Sequence, residues 1–217
     1  MTPPRPKIFA ASWRTSADYQ ILRDSLHARR LPITFVNGCF DLLHSGHVRL
    51  LNFAARESVR LSLGRNDGAL VVGLNSNSSV ARIKGPGRPV LSLAERMQML
   101  LALEVVDAVV GFDEDTATEL VRDLRPCVYV KGADYAGKDV PEVAALPDPS
   151  VVLYCPRGAI TLTDMSSTKI ITKVNESERT RVATEPKLYS PLQAAAAELA
   201  RAGDPADRPG GGGQQGG

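Results

Sequence analysis

Short apolar runs alternate with amphipathic segments through the middle of the chain, and this alternation constrains the fold more than any other feature of the sequence. The runs are rich in β-branched residues and apolar on both faces, which is typical of buried strands. They cover residues 33–37, 69–75, 107–112, 127–132 and 150–155. Strands of this kind need helices on both sides of their sheet. The sequence therefore predicts a Rossmann-like α/β fold built on a doubly wound, parallel, five-stranded sheet.

Helical spacing of apolar residues occurs between these strands. The predicted helices cover residues 47–59, 91–104, 115–124 and 166–174. A further short helix, starting at a serine cap, is predicted within residues 16–30.

The chain divides into three predicted regions. Residues 1–31 form a polar, partly helical extension, and residues 32–175 form the α/β domain. Residues 176–217 are polar and then low in complexity, which predicts a disordered tail.

The charge balance excludes two classes of main partner. The chain has 26 basic and 24 acidic side chains and a formal net charge of +2, which is too even for a protein that mainly binds nucleic acid or an anionic membrane. Its three cysteines have no CxxC spacing and are interpreted as reduced thiols. The N-terminal residues lack the apolar core of a signal peptide, and no run is long enough to span a membrane. We therefore expect a cytoplasmic protein.

Two of the three histidines follow the first predicted strand, in the stretch GCFDLLHSGH at residues 38–47. Doubly wound sheets bind ligands beyond the carboxyl ends of their strands, where strand order reverses. Gly38 allows a tight turn there, and a helix beginning near Gly46 directs its unpaired amides toward the same place. Because His44 and His47 add two imidazole donors, the stretch predicts a phosphate-binding site.

Two further interpretations of the histidine pair stay open at this point. The pair could bind a metal ion with Asp41 as third ligand, although no fourth ligand lies nearby. The histidines could also be ordinary surface or core residues. The glycines, the preceding strand and the following helix favour phosphate binding, and no protein-borne metal site is predicted.

Basic side chains beyond the second predicted strand are further candidates. Lys84 and Arg88 lie in a Gly/Pro-rich segment, interpreted as a mobile loop that closes over phosphates. A solvated basic loop is the alternative. Arg96 lies beside Glu95 in a predicted helix, where it either contributes to a nucleotide site or pairs with a carboxylate at the helix surface.

Polar residues at the ends of later elements complete the candidate set. Lys131, Asp134 and Tyr135 lie at the carboxyl end of the fourth strand, where ligand contacts are expected; an ordinary strand-to-loop transition is the alternative. The sequence SSTK at residues 166–169 is expected to cap the last helix. Its hydroxyls and amides are also candidates for phosphate contacts.

The stretch GCFDLLHSGHVRLL resembles the signature of the HxGH nucleotidyltransferase superfamily, in which two histidines of a strand–loop–helix unit bind the α- and β-phosphates of a nucleoside triphosphate. Four further blocks resemble the adenylyltransferases that make ADP-heptose from D-glycero-β-D-manno-heptose 1-phosphate. They lie at residues 82–100, 106–116, 128–135 and 165–171. The resemblance covers about residues 33–174, so the α/β domain is expected to be a nucleotidyltransferase domain.

The resemblance implies an enzyme that transfers AMP from ATP to the heptose phosphate and releases pyrophosphate, for lipopolysaccharide precursors. It implies Mg²⁺ bound through the ATP phosphates, a homodimer, and a separate sugar kinase upstream. The catalytic residues that it implies are His44, His47 and Lys84. The nucleotide-binding residues that it implies are Gly38, Cys39, Phe40, Asp41, Gly46, Arg88, Arg96, Lys131, Ser166, Ser167 and Thr168. Asp134 and Tyr135 are implied to contact the sugar phosphate.

One departure from the superfamily bears on the substrates. Its cytidylyltransferases have an RTxGIST-like sequence at the last element, whereas Thr161 and Asp164 occupy the arginine and glycine positions here. This difference favours ADP-heptose synthesis over a cytidylyltransferase acting on a small alcohol phosphate.

Two functions of a different class also stay open. The chain could be a non-catalytic nucleotide-binding protein, against which both histidines and Lys84 argue. It could also be a scaffold whose terminal segments bind a partner.

Overall fold

A computed structural model describes residues 11–61, 68–156 and 165–184. The strands are β1 (Ala11–Trp13), β2 (Ile33–Gly38), β3 (Ala69–Asn75), β4 (Ala108–Phe112), β5 (Val128–Gly132) and β6 (Val152–Cys155). The helices are α1 (Ala17–Ala28), α2 (Ser45–Leu61), α3 (Asn77–Lys84), α4 (Leu93–Ala102), α5 (Thr118–Leu124) and α6 (Ser167–Thr184). Three 3-10 turns lie between β5 and β6, at Ala133–Tyr135, Pro141–Ala145 and Pro149–Val151.

The strands form one parallel sheet in the order β1-β4-β3-β2-β5-β6. From β2 the chain adds β3 and β4 on one side and then returns to add β5 and β6 on the other, so strand order reverses at β2. The predicted parallel α/β fold is confirmed, and each of the five predicted strands is present. The predicted strand number is one too low, because the described residues add β1 as an edge strand beside β4.

The sheet is covered on both faces, as its sequence pattern requires. On one face, apolar side chains of α1 and α5 pack against alternate residues of the strands, among them Phe35. On the other face, α2 and α4 pack against the intervening residues, among them Val36. Every residue of β3 is buried, which explains why its sequence is a continuous apolar run without alternation.

The N-terminal lead-in contributes to this core. The serine cap predicted for its helix is present, since Ser16 Oγ accepts from the Tyr19 amide at 3.2 Å. Tyr19, Leu22 and Leu26 are each at most 3% exposed within the cluster on the α1 face. Burial of this stripe fixes α1 against the sheet.

The segment before the Gly/Pro-rich loop is the helix α3, which was not predicted from the sequence. Its run of Asn and Ser favours caps and turns over helix interiors, but Ser76 caps the helix by accepting from the Ser79 amide at 2.9 Å. The placement of Lys84 in a loop is therefore wrong, because Lys84 is the last residue of α3. Arg88 does lie in the loop that follows.

Several expectations fall partly outside the described residues. The loop expected at 61–68 lies there except at its ends, and so do Thr161 and Asp164. The last helix runs to Thr184, ten residues beyond its predicted end. The remainder of the predicted disordered tail, 185–217, is not described. Among the described residues, no helix has both the length and the apolar character that a membrane span requires.

By its contacts the chain forms two compact units, residues 1–169 and residues 170–217. The sheet and the helices that cover it belong to the first unit. The described part of the second unit is the remainder of α6.

The close packing of β2 against β3 gives a stability prediction at Gly73. A Cβ there would lie 2.7 Å from Phe35 Cζ and 3.2 Å from Asn37 Cβ, so Gly73→Ala is expected to destabilise the fold by about 1–3 kcal/mol. Urea unfolding measures this change. Combining it with Phe35→Leu should cost less than the sum of the two single changes, because the smaller side chain makes room. Simple additivity would contradict the packing described.

Candidate active site

A cavity of 660 Å³ lies at the carboxyl ends of the central strands, where strand order reverses. Its wall contains residues from β2, the start of α2, the end of α3, β5 with the turns that follow it, and residues 165–169. The predicted site residues that line it are Gly38, Cys39, Phe40, Asp41, His44, Gly46, His47, Lys84, Arg88, Lys131, Asp134, Tyr135, Ser166, Ser167 and Thr168. The structure thus brings together residues more than 120 positions apart.

The two histidines form a stacked pair at the N-terminus of α2. Their ring centroids are 3.7 Å apart, and the His47 ring also lies 4.8 Å from that of Phe40. His44 Nδ1 accepts from the Gly46 amide at 3.1 Å, so in a neutral His44 the proton is on Nε2. His44 is therefore set to donate a hydrogen bond from Nε2.

Burial keeps this pair uncharged. Burial, followed by the charge of Arg49, lowers the pKa of His44. Burial, with a smaller contribution from His44, lowers the pKa of His47 to about 3. Both rings are thus neutral hydrogen-bond donors near neutral pH, at the positive end of the α2 dipole. The expected unpaired amides are not found at residues 46–48, because the Gly46 amide donates to His44 Nδ1 and the amides of His47 and Val48 donate to the His44 carbonyl at 2.9 and 3.2 Å.

The backbone around the pair is tightly constrained. A Cβ at position 46 would lie 2.9 Å from both Cε1 and Nδ1 of His44, so only glycine leaves room for the stacked rings. Phe40 has a φ of 42°, in the left-handed region that is unfavourable for a bulky side chain. Such strain persists where the surroundings impose it and is frequent at functional sites.

Asp41 attaches the Gly/Pro-rich loop to the histidine motif. Its carboxylate is 2% exposed and accepts from the amides of Val90 and Leu91 at 2.7 and 3.2 Å. It also forms an ion pair with Arg88, with 2.6 Å between Oδ2 and Nε. These contacts orient the loop relative to the histidine motif.

Arg96 has a structural role next to the site, where its side chain joins separate main-chain segments. It is 1% exposed, so its interpretation as a helix-surface residue is wrong, and it does not belong to the cavity wall. Its guanidinium donates to the carbonyls of Cys39, Asn75 and Leu91 at 2.6–3.0 Å. These contacts fix the turn after β2, the end of β3 and the loop before α4 relative to one another.

The serines before the last helix have local hydrogen-bond roles. Ser166 Oγ accepts from the Lys169 amide at 3.2 Å, so the predicted cap is confirmed. Ser167 Oγ accepts from the Leu42 amide at 3.3 Å and lies 3.2 Å from the Leu42 carbonyl. Ser167 thereby joins the start of α6 to the histidine motif, while Thr168 remains exposed.

A buried polar network at the end of β2 and β5 was only partly predicted. Lys131 was identified, but Asn37, Tyr129 and Glu142 were not. Asn37 Oδ1 accepts from the Tyr129 hydroxyl at 2.6 Å and from Lys131 Nζ at 2.9 Å. Glu142 Oε1 lies 3.5 Å from Lys131 Nζ. The sequence feature that could have indicated Glu142 is a single glutamate among apolar residues in the segment DVPEVAAL. This pattern does not indicate which residues the glutamate contacts.

Comparison with known proteins shows the relationship of this chain. A model of the cytidylyltransferase-like family matches residues 35–173. The chain is 50% identical to the bifunctional protein HldE of Streptomyces coelicolor, over 57% of this chain and 25% of that protein. It is 49% identical to the bifunctional protein HldE of Syntrophotalea carbinolica, over 56% and 24%. The chain thus spans about a quarter of the length of these curated relatives.

A solved structure adds a more distant likeness. The lipopolysaccharide core biosynthesis protein from Thermoplasma volcanium aligns with a TM-score of 0.45 and 21% identity, over 59% of this chain and 98% of that chain.

The buried state of His47 predicts a pH dependence of stability. Unfolding returns its pKa from about 3 to its ordinary value of 6.5. The unfolded chain therefore takes up a proton that the folded protein excludes, and stability falls as the pH falls below 6.5. Between pH 7 and pH 5 this residue should cost about 2 kcal/mol. Urea unfolding of wild type and His47→Asn at both pH values measures it, and the variant should lose correspondingly less. Equal losses would contradict a neutral, desolvated His47.

Proposed function

Because this chain belongs to the cytidylyltransferase-like family, we propose that it is a nucleotidyltransferase that transfers AMP from ATP to D-glycero-β-D-manno-heptose 1-phosphate. The products are ADP-heptose and pyrophosphate. The observation that carries the nucleotidyltransferase assignment is the stacked, neutral pair of His44 and His47 at a helix N-terminus facing the cavity. Such a pair can donate hydrogen bonds to phosphate groups, and the proposed reaction needs no base or nucleophile from the protein.

The choice of ATP and heptose phosphate rests on sequence similarity. The four blocks beyond the histidine motif resemble ADP-heptose adenylyltransferases, and the chain is 50% and 49% identical to two proteins named HldE, over 123 and 129 residues. The acceptor is supplied by a separate sugar kinase, and the chain acts as a homodimer in the cytoplasm. The kinase and the homodimer follow from the resemblance, and the location is the expectation drawn from the sequence.

The reaction requires two anions to be held in line. A phosphate oxygen of the sugar phosphate attacks the α-phosphorus of ATP, and the bond from that phosphorus to the bridging oxygen of the β-phosphate breaks. Pyrophosphate leaves with the electron pair, so no proton has to be removed from the nucleophile. Proximity and stabilisation of developing charge then account for the rate.

Each of the cavity residues below has its own proposed role in binding the phosphates. His44 and His47 donate to the phosphates through the transition state, next to the positive end of the α2 dipole. Lys84 is exposed at the cavity edge, where its ammonium can approach the triphosphate. Arg88 is held at the wall by Asp41. Ser166 and Thr168 approach from the start of the last helix.

A magnesium ion fits this site when it arrives with the nucleotide. The described residues contain no cluster of three or more His, Cys, Asp or Glu side chains that could hold a metal, and the Asp41 carboxylate is used by Arg88 and two amides. A magnesium ion would be held mainly through triphosphate oxygens, as is usual for Mg²⁺. The ion neutralises phosphate charge when it is bound.

Pyrophosphate release tests the proposal. Purified protein with Mg²⁺, heptose 1-phosphate and either ATP or CTP should release pyrophosphate with ATP. His44→Ala and His47→Ala should each lower kcat by about 10²–10³. His27→Ala is the matched control, because this exposed histidine contacts the Leu124 carbonyl, away from the cavity, and it should keep full activity.

The rival functions give different results in the same assay. Release with CTP and a small alcohol phosphate would assign the chain to the cytidylyltransferase branch. ATP binding without release with any acceptor would assign it to non-catalytic nucleotide binding.

A further inference from the structure

A buried carboxylate, Glu142, lies against the cavity on the turn Pro141–Ala145. The side chain is 5% exposed. Its Oε1 accepts from Asn37 Nδ2 at 3.3 Å and from the Ala117 amide at 3.2 Å, and it lies 3.5 Å from Lys131 Nζ. A carboxylate at this depth is costly unless it is paired, so the contacts define what it does.

The ammonium of Lys131 is the centre of this arrangement. Lys131 is 6% exposed, and its Nζ lies 4.9 Å from the ring centroids of both Tyr129 and Tyr135. Among the described residues its hydrogen-bond acceptors are Asn37 Oδ1 and Glu142 Oε1. An ammonium has three donors, so one remains for a ligand in the cavity that Lys131 lines.

Lys131 and the histidine pair lie on opposite faces of the sheet, at the carboxyl ends of its strands. Tyr129, two residues before Lys131, is buried with Phe35 on the α1 and α5 face. Val36 is buried with Leu51 of α2 on the opposite face, and α2 begins with the histidine pair. Since side chains alternate along a strand, the cavity has cationic or donor groups on both sides of β2. This is the arrangement needed to hold two anions.

The charge of Lys131 depends on its neighbours. Burial lowers the pKa of Lys131, and the nearby charges of Glu142 and then Asp134 oppose this effect. The other titratable groups facing it are the hydroxyls of Tyr129 and Tyr135, with Tyr154 adjacent in register on β6. Glu142 is the acid in direct contact with the ammonium.

We propose that Lys131 binds the phosphate of the acceptor and that Glu142 is the positioning residue that fixes and preserves this cation. The proposal rests on the function proposed above and assigns Lys131 to the acceptor, where the sequence had indicated the nucleotide. Asn37 bridges the two side chains and thereby links them to the start of the histidine motif. Glu142 itself does not touch the substrates.

The test separates the two substrates in steady-state kinetics. Glu142→Gln retains an oxygen that can accept the same hydrogen bonds but removes the charge. It should raise KM for heptose 1-phosphate about tenfold or more and leave KM for ATP within about twofold. Glu119→Gln is the matched control, because Glu119 pairs with Arg122 on an exposed helix face, and it should change neither constant.

The pH profile provides a second readout. Without the Glu142 charge, Lys131 should lose its proton at lower pH, so the alkaline limb of kcat/KM for the sugar phosphate should move to lower pH in Glu142→Gln. Arginine stays charged throughout. Adding Glu142→Gln to Lys131→Arg should therefore leave the alkaline limb of that variant in place. A shift that persists in the double variant would overturn the role of Lys131.

Direct titration of the Lys131 ammonium by NMR, without any substrate, separates this inference from the proposed function. If wild type turns over no heptose phosphate, the proposed function fails. A lower titration midpoint of Lys131 in Glu142→Gln would still support its pairing with Glu142, and an unchanged midpoint would overturn that pairing.

In the kinetic test, equal rises in KM for ATP and for heptose 1-phosphate would also overturn the proposal. If Glu142→Gln does not fold, Lys131→Gln must show the same selective rise in KM for the sugar phosphate, and its absence would refute the proposal.

Discussion

The buried guanidinium of Arg96 is the interaction on which the site most depends. It donates to main-chain carbonyls at the end of β3, in the turn after β2 and in the loop before α4. A guanidinium carries five donors in a fixed plane, so a single side chain can hold these separate segments at fixed distances. Asp41 complements it by binding Arg88 and the amides of the same loop. These contacts fix the turn after β2 and the loop before α4 next to the histidine motif.

These contacts matter because the proposed reaction depends on the positions of the two substrates more than on reactive side chains of the protein. Burial, followed by the charge of Arg49, lowers the pKa of His44, and burial, followed by His44, lowers the pKa of His47. The two neutral rings avoid the repulsion of two adjacent cations, and we propose that they donate to phosphate. The N-terminus of α2 adds the positive end of the helix dipole at the same place. On the other side of β2, Glu142 Oε1 lies 3.5 Å from Nζ of Lys131, the residue that we propose binds the acceptor phosphate. The two sides together suit a reaction between two anions.

Features encoded by neighbouring residues could be predicted from the sequence. The five strands, the serine caps and the histidine motif each depend on a short local pattern, and the structure has all of them. Arg96 and Glu142 could not be assigned, because their partners lie up to 57 and 105 residues away in the sequence. α3 was missed for a different reason. Its Asn and Ser residues favour turns locally, and a cap at Ser76 overrides that preference.

The proposed reaction transfers AMP directly from ATP to the sugar phosphate, without a covalent intermediate on the protein. The stereochemical course at the α-phosphorus distinguishes this reaction from a two-step transfer. With ATP carrying a chiral α-thiophosphate and heptose 1-phosphate as acceptor, a single in-line displacement must invert the configuration in the ADP-heptose formed, so inversion is expected. Retention would mean two displacements through an adenylylated side chain, and would rule out direct transfer.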